Sequence, residues 1–248
     1  MVVAIVLAAG SGSRMGTDVP KQFLDLDGMP VVARAMQAFE SCSAVDSMLL
    51  VTSADYAGYC REEIVEEYGF KKVAGVIAGG SARYDSVRNA LEACTRYFGW
   101  KEDDPSNYVL IHDGARPYVT EDIIVRVIEA ARLYRAAAVG MPAKDTVKIA
   151  DRDGFAADTP DRRRVWTIQT PQAFSFPLIL AANDKILRAG LMESVTDDAM
   201  VVERSGLAKV KLVEGAYSNI KITTPEDFPD DLWKLIPKHG CFWEVALL

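Results

Sequence analysis

Two cations, Arg14 and Lys21, stand in the stretch LAAGSGSRMGTDVPKQF (7–23) among glycines 10, 12 and 16. Glycine lets backbone N–H groups come close to an anion, and arginine and lysine add fixed positive charge, so this stretch points to phosphate binding. Two familiar phosphate loops are excluded. Gly10-x-Gly12-x-x-x-Gly16 is one residue longer than the dinucleotide fingerprint, and no lysine directly follows Gly16 as a P-loop requires. A second cluster, GGSARYDS (79–86), offers Gly79, Gly80, the hydroxyls of Ser81 and Ser86, and Arg83. The same residue types also suit an ordinary helix start. A third, HDGARP (112–117), sets Asp113 close to Arg116. A carboxylate so placed can help hold Mg²⁺ with phosphates and waters completing the shell, or it can simply pair with the arginine. His112 reads as a strand-end histidine with its hydrogen bonds met rather than as a base.

These loops need elements to aim them. VVAIVLA is a buried strand running into the first loop. A helix follows from Pro30, with Val31, Val32, Ala35, Met36 and Phe39 as its apolar stripe. SMLLVTS (47–53) is a second strand, YCREEIVEEYGF an amphipathic helix closing at Gly69, and VAGVI (73–77) a third strand. A helix over about 83–97 precedes a fourth strand, YVLIHDG (108–114). Thr120 caps the next helix, and AAAVGMP (136–142) is a fifth strand. Such alternation predicts an α/β fold with a doubly wound, mostly parallel, Rossmann-like sheet. Ligands bind such sheets at the carboxyl ends of the strands, where the strand order reverses, and all three loops leave strand ends. The alternation then lapses. TVKIA and FAADT, around the turn Asp151–Gly154, form a β-hairpin in an arm of about 143–165 that projects from the body. A helix over TDDAMVVERSG, strands at KVKLVEG and NIKITT, and a last helix from Pro225 complete the expected order.

At 248 residues with half of them hydrophobic, the chain builds one large domain, taken as 1–236, with a tail, 237–248, whose role the sequence leaves open. The net charge of −7 disfavours non-specific binding to nucleic acid or to an anionic membrane. Cys42, Cys60, Cys94 and Cys241 lie far apart and form no C-x-x-C pair, which fits reduced thiols. The apolar N-terminus has no basic segment before it, so it reads as a strand rather than a secretory signal, and no run approaches the ~18 residues of a membrane span. A cytoplasmic protein is expected. With His112 and His239 as its two histidines, the chain has little material for a histidine-rich metal site or a histidine-based hydrolase.

LAAGSGSRMG…PKQF, GGSARYDSV, HDGARP, KDTVK, TPDR…TPQAF, TDDA and EGAYSNIKITTPED resemble, in order and spacing, the 2-C-methyl-D-erythritol 4-phosphate cytidylyltransferase family. The similarity runs from about residue 2 to 228. It implies that CTP and methylerythritol phosphate become CDP-methylerythritol and pyrophosphate, with Mg²⁺ as cofactor, in a homodimer whose arm reaches the partner's site. Position by position, it implies that Ala8, Ala9, Gly10 and Gly12 line the CTP site, and that Gly79, Gly80, Ser81 and Ser86 read the cytosine. Arg83 shapes that loop. Arg14 and Lys21 grip the reacting phosphates, with Lys221 as a third cation. Asp113 holds Mg²⁺ near the ribose, and Arg116 supports its loop. Thr146 and Arg162 from the neighbouring subunit bind the acceptor with Thr170, Thr196 and Lys221. Gly114 stands where many relatives have alanine, a change between small residues expected to matter little. Two rivals are a ribitol 5-phosphate cytidylyltransferase and a non-catalytic nucleotide-binding regulator; the clustered cations argue against the second.

Overall fold

The computed structural model describes residues 1–10 and 19–228. Its centre is a seven-stranded sheet in the order β3-β2-β1-β4-β8-β5-β9. These strands are β1 (Val2–Ala8), β2 (Ser47–Thr52), β3 (Val73–Ala78), β4 (Tyr108–Asp113), β5 (Ala136–Pro142), β8 (Trp166–Ser175) and β9 (Lys211–Glu214). β8 runs antiparallel to both its neighbours, β4 and β5, while the other pairings are parallel. The mostly parallel α/β expectation therefore holds.

Alternation along β1 divides the core in two. Val2, Ala4, Val6 and Ala8 face a layer built by Val32, Met36 and Phe39 of α1 (Val31–Ser41) and by Ile124, Val127 and Ile128 of α4 (Glu121–Tyr134). Val3 and Ile5 face the other layer, with Val87 and Leu91 of α3 (Arg83–Phe98), Ile179 of α5 (Phe176–Arg188) and Val202 of α6 (Asp198–Ser205). A strand covered on both faces must be apolar throughout, which is why VVAIVLA shows no polar alternation. Between β2 and β3 a short helix, α2 (Ala57–Tyr59), opens into a π-helical stretch, Cys60–Glu66, and the chain leaves it through Gly69 at φ +64°.

Several expectations need correction. The sequence reading left 166–188 without an element; it forms β8 and α5. NIKITT (219–224) is not a strand, although Ile222 N–H donates to the Ala115 carbonyl (2.8 Å). Thr120 occupies the N-cap of α4, yet its hydroxyl makes no capping bond, leaving Glu121 and Asp122 to complement the helix end. From Pro225 the chain forms a 3₁₀ turn, Pro225–Asp227, and the rest of the expected helix and the 237–248 tail lie outside the described residues. The hairpin is present as β6 (Ile149–Ala150) and β7 (Ala156–Asp158), both exposed, with Gly154 at φ +87° supplying the left-handed residue of its turn. A third apolar cluster, Leu24, Leu26, Val31, Ile222 and Phe228, ties the segment after the first loop to the end of the described chain.

Candidate active site

The sheet order reverses between β1 and β4, and a cleft of about 470 Å³ opens at their carboxyl ends. Ala8, Ala9 and Gly10 form one wall, Gly80, Ser81, Arg83 and Ser86 another, and Asp113, Lys21 and Lys221 close it. A smaller cleft of about 160 Å³ adjoins it, sharing Arg83, Asp113 and Lys221 and adding Arg116, Thr170 and Thr196. Thr196 is exposed and bonds Met200 Sδ at 3.5 Å. Gly12 and Arg14 lie outside the described residues.

Each wall has a local cause. Gly79 N–H donates to the Thr52 carbonyl (2.7 Å), and Gly80 N–H to Ser86 Oγ (3.1 Å), so the second loop is pinned by β2 and by the first turn of α3. A Cβ on Gly79 would meet Ser86 Oγ at 2.7 Å and Ala9 Cβ at 2.8 Å, and one on Gly80 would collide with Asp85. Close approach, not flexibility, demands these glycines. Gly114 is tight too, since an added Cβ would lie 2.9 Å from the Leu7 carbonyl oxygen, so alanine there forces a backbone shift. Lys21 sits on a 3₁₀ turn (Lys21–Phe23) anchored by Phe23, whose ring stacks on Tyr56 at 4.9 Å. Its Nζ donates to the Ile222 carbonyl (2.7 Å), which places it beside Lys221 across 200 residues of sequence.

Asp113 is the electrostatic hub. Its Oδ2 lies 2.9 Å from Lys221 Nζ and 3.6 Å from Arg116 Nε, and its Oδ1 lies 3.7 Å from Arg83 Nε. Burial alone would raise its pKa; Lys221, Arg83 and Arg116 outweigh that and hold the carboxyl well below the usual range. The Asp113–Arg116 pairing that the sequence left open is present, with Lys221 the closer partner. Arg83 Nη2 also bonds the buried Asp198 Oδ2 at 2.6 Å.

Beneath this hub runs a short buried chain of hydrogen bonds. Asp113 N–H donates to Thr170 Oγ1 (3.0 Å), so the Thr170 hydroxyl proton is available to His112 Nδ1 (3.0 Å). The ring proton then sits on Nε2 and donates to the Arg116 carbonyl (3.2 Å). Burial pushes the His112 pKa down to about 4, so the ring is neutral at physiological pH and both its nitrogens are engaged. The strand-end reading of His112 agrees with this geometry.

Thr146 and Arg162 lie on the exposed arm and line neither cleft; Arg162 Nη1 donates to the Lys144 carbonyl (3.2 Å). Sequence reasoning missed three contributors. Gln22 is buried, and its Nε2 donates to the carbonyls of Ala8 (2.7 Å) and Gly10 (2.9 Å), closing the base of the first loop. Gln172 donates to Asp197 Oδ2 (2.9 Å) and accepts from Ala199 N–H (2.8 Å), fixing the start of α6. Asp198 holds Arg83. Gln22 and Asp198 stood in PKQF and TDDA, but nothing in residue type alone told a structural amide or acid from a ligand.

Known proteins resemble this chain in sequence and fold. The model of the 2-C-methyl-D-erythritol 4-phosphate cytidylyltransferase family matches residues 2–231. The cytidylyltransferase of that name from Caldanaerobacter subterraneus is 46% identical over 226 residues, which is 91% of this chain and 95% of the relative. That from Geobacter metallireducens is also 46% identical, over 91% of this chain and 94% of its own. Among solved structures, the 4-diphosphocytidyl-2C-methyl-D-erythritol synthase of Anaerococcus prevotii superposes with a TM-score of 0.78 at 35% identity, covering 92% of each chain. The 2-C-methyl-D-erythritol 4-phosphate cytidylyltransferase of Francisella tularensis gives 0.75 at 28% identity, over 94% of this chain and 99% of its own.

Proposed function

The chain belongs to the 2-C-methyl-D-erythritol 4-phosphate cytidylyltransferase family, and on that premise we propose how its clefts move a cytidylyl group from CTP to 2-C-methyl-D-erythritol 4-phosphate. The products are CDP-methylerythritol and pyrophosphate, on the non-mevalonate route to isoprenoid precursors. The observation that carries the reading is the convergence of Arg83, Arg116 and Lys221 on Asp113 where β1 and β4 end, with Lys21 lining the same cleft.

CTP occupies the larger cleft, with Gly79, Gly80, Ser81 and Ser86 against cytosine and Ala8, Ala9, Gly10 and Gly12 along the ribose and phosphates. The acceptor occupies the smaller cleft, against Thr170, Thr196 and Lys221. Two polyanions must meet, and Lys21, Lys221 and Arg14 offset their repulsion and the charge that gathers on the α-phosphate as it is attacked. A phosphate monoester is largely ionised near neutral pH, its second pKa being about 6, so attack needs no general base. The neutral, fully hydrogen-bonded His112 is consistent with that. His112, the histidine among the described residues, has both ring nitrogens engaged and is not free to activate Ser86, which favours direct in-line displacement over a covalent intermediate.

Mg²⁺ is bound through one or two carboxylates, with phosphates and waters completing the shell. Asp113 fits that demand as a carboxylate that lines both clefts and would offer an oxygen to the ion. Mg²⁺ bound there would neutralise phosphate charge and steady the leaving pyrophosphate. The exposed Thr146 and Arg162 complete the site only as the partner subunit's residues, so the assembly is a homodimer with shared sites. Among the described residues no helix is long and apolar enough to cross a membrane. A cytoplasmic location fits the CTP substrate.

The test is pyrophosphate release and product identification with CTP and, side by side, methylerythritol phosphate or ribitol 5-phosphate. Turnover of the first alone is expected. Equal or faster turnover of ribitol 5-phosphate overturns the acceptor, and no release with either overturns the assignment of the clefts.

A further inference from the structure

Arg83 lines both clefts, as Lys221 does, and also stands between two carboxylates. Its Nη2 is 2.6 Å from Asp198 Oδ2, and its Nε is 3.7 Å from Asp113 Oδ1. The Asp198 side chain is 4% exposed, at the first residue of α6, where the helix end favours negative charge. Its neighbour Asp197 is engaged elsewhere, with Met200 N–H (2.9 Å) and Gln172 Nε2 (2.9 Å). Asp198 therefore has one side-chain task on view, which is to hold the guanidinium.

We propose that Asp198 is a positioning residue for the transfer reaction, fixing Arg83 as the shared wall of the two clefts and keeping it out of hydrogen-bond contact with Asp113. This rests on the reading that the larger cleft takes CTP and the smaller the acceptor. Released from Asp198, the guanidinium has Asp113 as its nearest carboxylate and needs to move by roughly 1 Å to reach ordinary charge-assisted hydrogen-bond length. Asp113 would then accept from Arg83 at Oδ1 as well as from Lys221 at Oδ2, and the guanidinium would leave its place between the two clefts. One buried acid, lining neither cleft, thus governs where a cation shared by both clefts points. The cytosine loop does not depend on this pair, since Gly80 N–H is tied to Ser86 Oγ, and Ser81 Oγ donates to Asp85 Oδ2 (2.9 Å). The effect belongs to the reacting centre rather than to nucleotide capture.

Steady-state pyrophosphate release from the full-length dimer tests this in a double-mutant cycle of Asp198→Asn with Arg83→Met. Asp198→Asn alone should lower kcat about 100-fold, the loss expected when a reacting group shifts by about 1 Å. KM for CTP should stay within about 2-fold, the ordinary error of additivity. In the Arg83→Met background the same substitution should change kcat by no more than about 2-fold. It should also raise the thermal midpoint there, because it removes a buried charge left without its partner. Wild-type kcat in Asp198→Asn overturns the proposal, and so does an equal loss in both backgrounds, which would mark a role confined to starting α6. If Asp198→Asn does not fold, Asp198→Glu replaces it; the carboxylate then sits one methylene further out, the same fall in kcat is expected, and wild-type kcat overturns the proposal. Wild-type protein that releases no pyrophosphate sinks the assignment of the clefts instead, a failure read before any variant is made.

Discussion

The cleft at the ends of β1 and β4 and the arm of β6 and β7 are built by opposite means. At the cleft, buried polar side chains such as Gln22, Ser86, His112 and Thr170 are locked by hydrogen bonds above a core of fully buried strands. The arm holds its shape through turn chemistry. Asp151 Oδ1 accepts from the N–H groups of Asp153 (3.0 Å) and Phe155 (2.9 Å), while Phe155 and Ile149 remain 73% and 51% exposed. A self-contained chain has no use for an apolar hairpin tip in water. The contrast teaches that the cleft is held by contacts within one chain, whereas the arm keeps its conformation with its apolar residues exposed.

The widest gap between the two regions should be in stability. Phe174→Ala, in β8 and fully buried, should destabilise the fold by about 3–5 kcal/mol in denaturant titrations. Phe155→Ala should change it by about 0.5 kcal/mol or less at protein concentrations that keep subunits apart. Equal losses would break the comparison, because the arm tip would then be core. In catalysis the ranking is the same. Lys21→Ala should lower kcat by about 100- to 1,000-fold, or about 3–4 kcal/mol, the scale of losing one preorganised donor at a developing charge, while CTP affinity falls less. An unchanged kcat in steady-state assays would remove Lys21 from the reacting centre.

The same contrast explains what the sequence disclosed. β1, β2, β4 and β5 were legible because a strand covered on both faces must be largely apolar, and the Gly79-Gly80 loop because close approach leaves no other residue. β8 was not legible. Its buried Gln169, Thr170 and Gln172 interrupt the apolar pattern, yet Gln169 Nε2 donates to the Ala216 carbonyl (2.8 Å), and the other two serve the hub and α6. A strand whose inward residues build a site does not look like a strand. NIKITT failed the other way: its alternation suggested pairing, but Asn219 and Ile222 are buried by loop contacts and Lys221 is turned to Asp113. Arg83 was legible as a cation and Asp198 was not legible as its holder, since their 115-residue separation carries no local signal.

His112 gives the cleft side a pH signature that the arm lacks. Burial lowers its pKa from 6.5 to about 4, so the unfolded chain takes up the proton first as pH falls. The contribution is fully present above pH 6.5 and is lost as pH drops through that window towards about 4. It amounts to about 3 kcal/mol at about 1.36 kcal/mol per pH unit. Unfolding free energy measured across the window should show this slope in the wild type and a flatter one in His112→Gln. A flat wild-type curve would mean that the imidazole is not buried neutral.

The smallest expected effect probes the missing surface itself. Arg162 is exposed and bonded to the Lys144 carbonyl, so its removal should leave stability and the KM for CTP unchanged. If the partner's cleft is where Arg162 acts, Arg162→Ala should raise the acceptor KM about tenfold or more, in line with about 1.5–3 kcal/mol for a hydrogen bond to a charged group. Mixing Arg162→Ala with Lys21→Ala subunits sharpens the point. In a mixed dimer one cleft would combine an intact Lys21 with the partner's intact Arg162, so activity above either parent should return once subunits exchange. Exchange without recovery would place Arg162 outside the site and leave the arm as a tether alone. Recovery would show that the region lacking a core supplies what the cored region lacks.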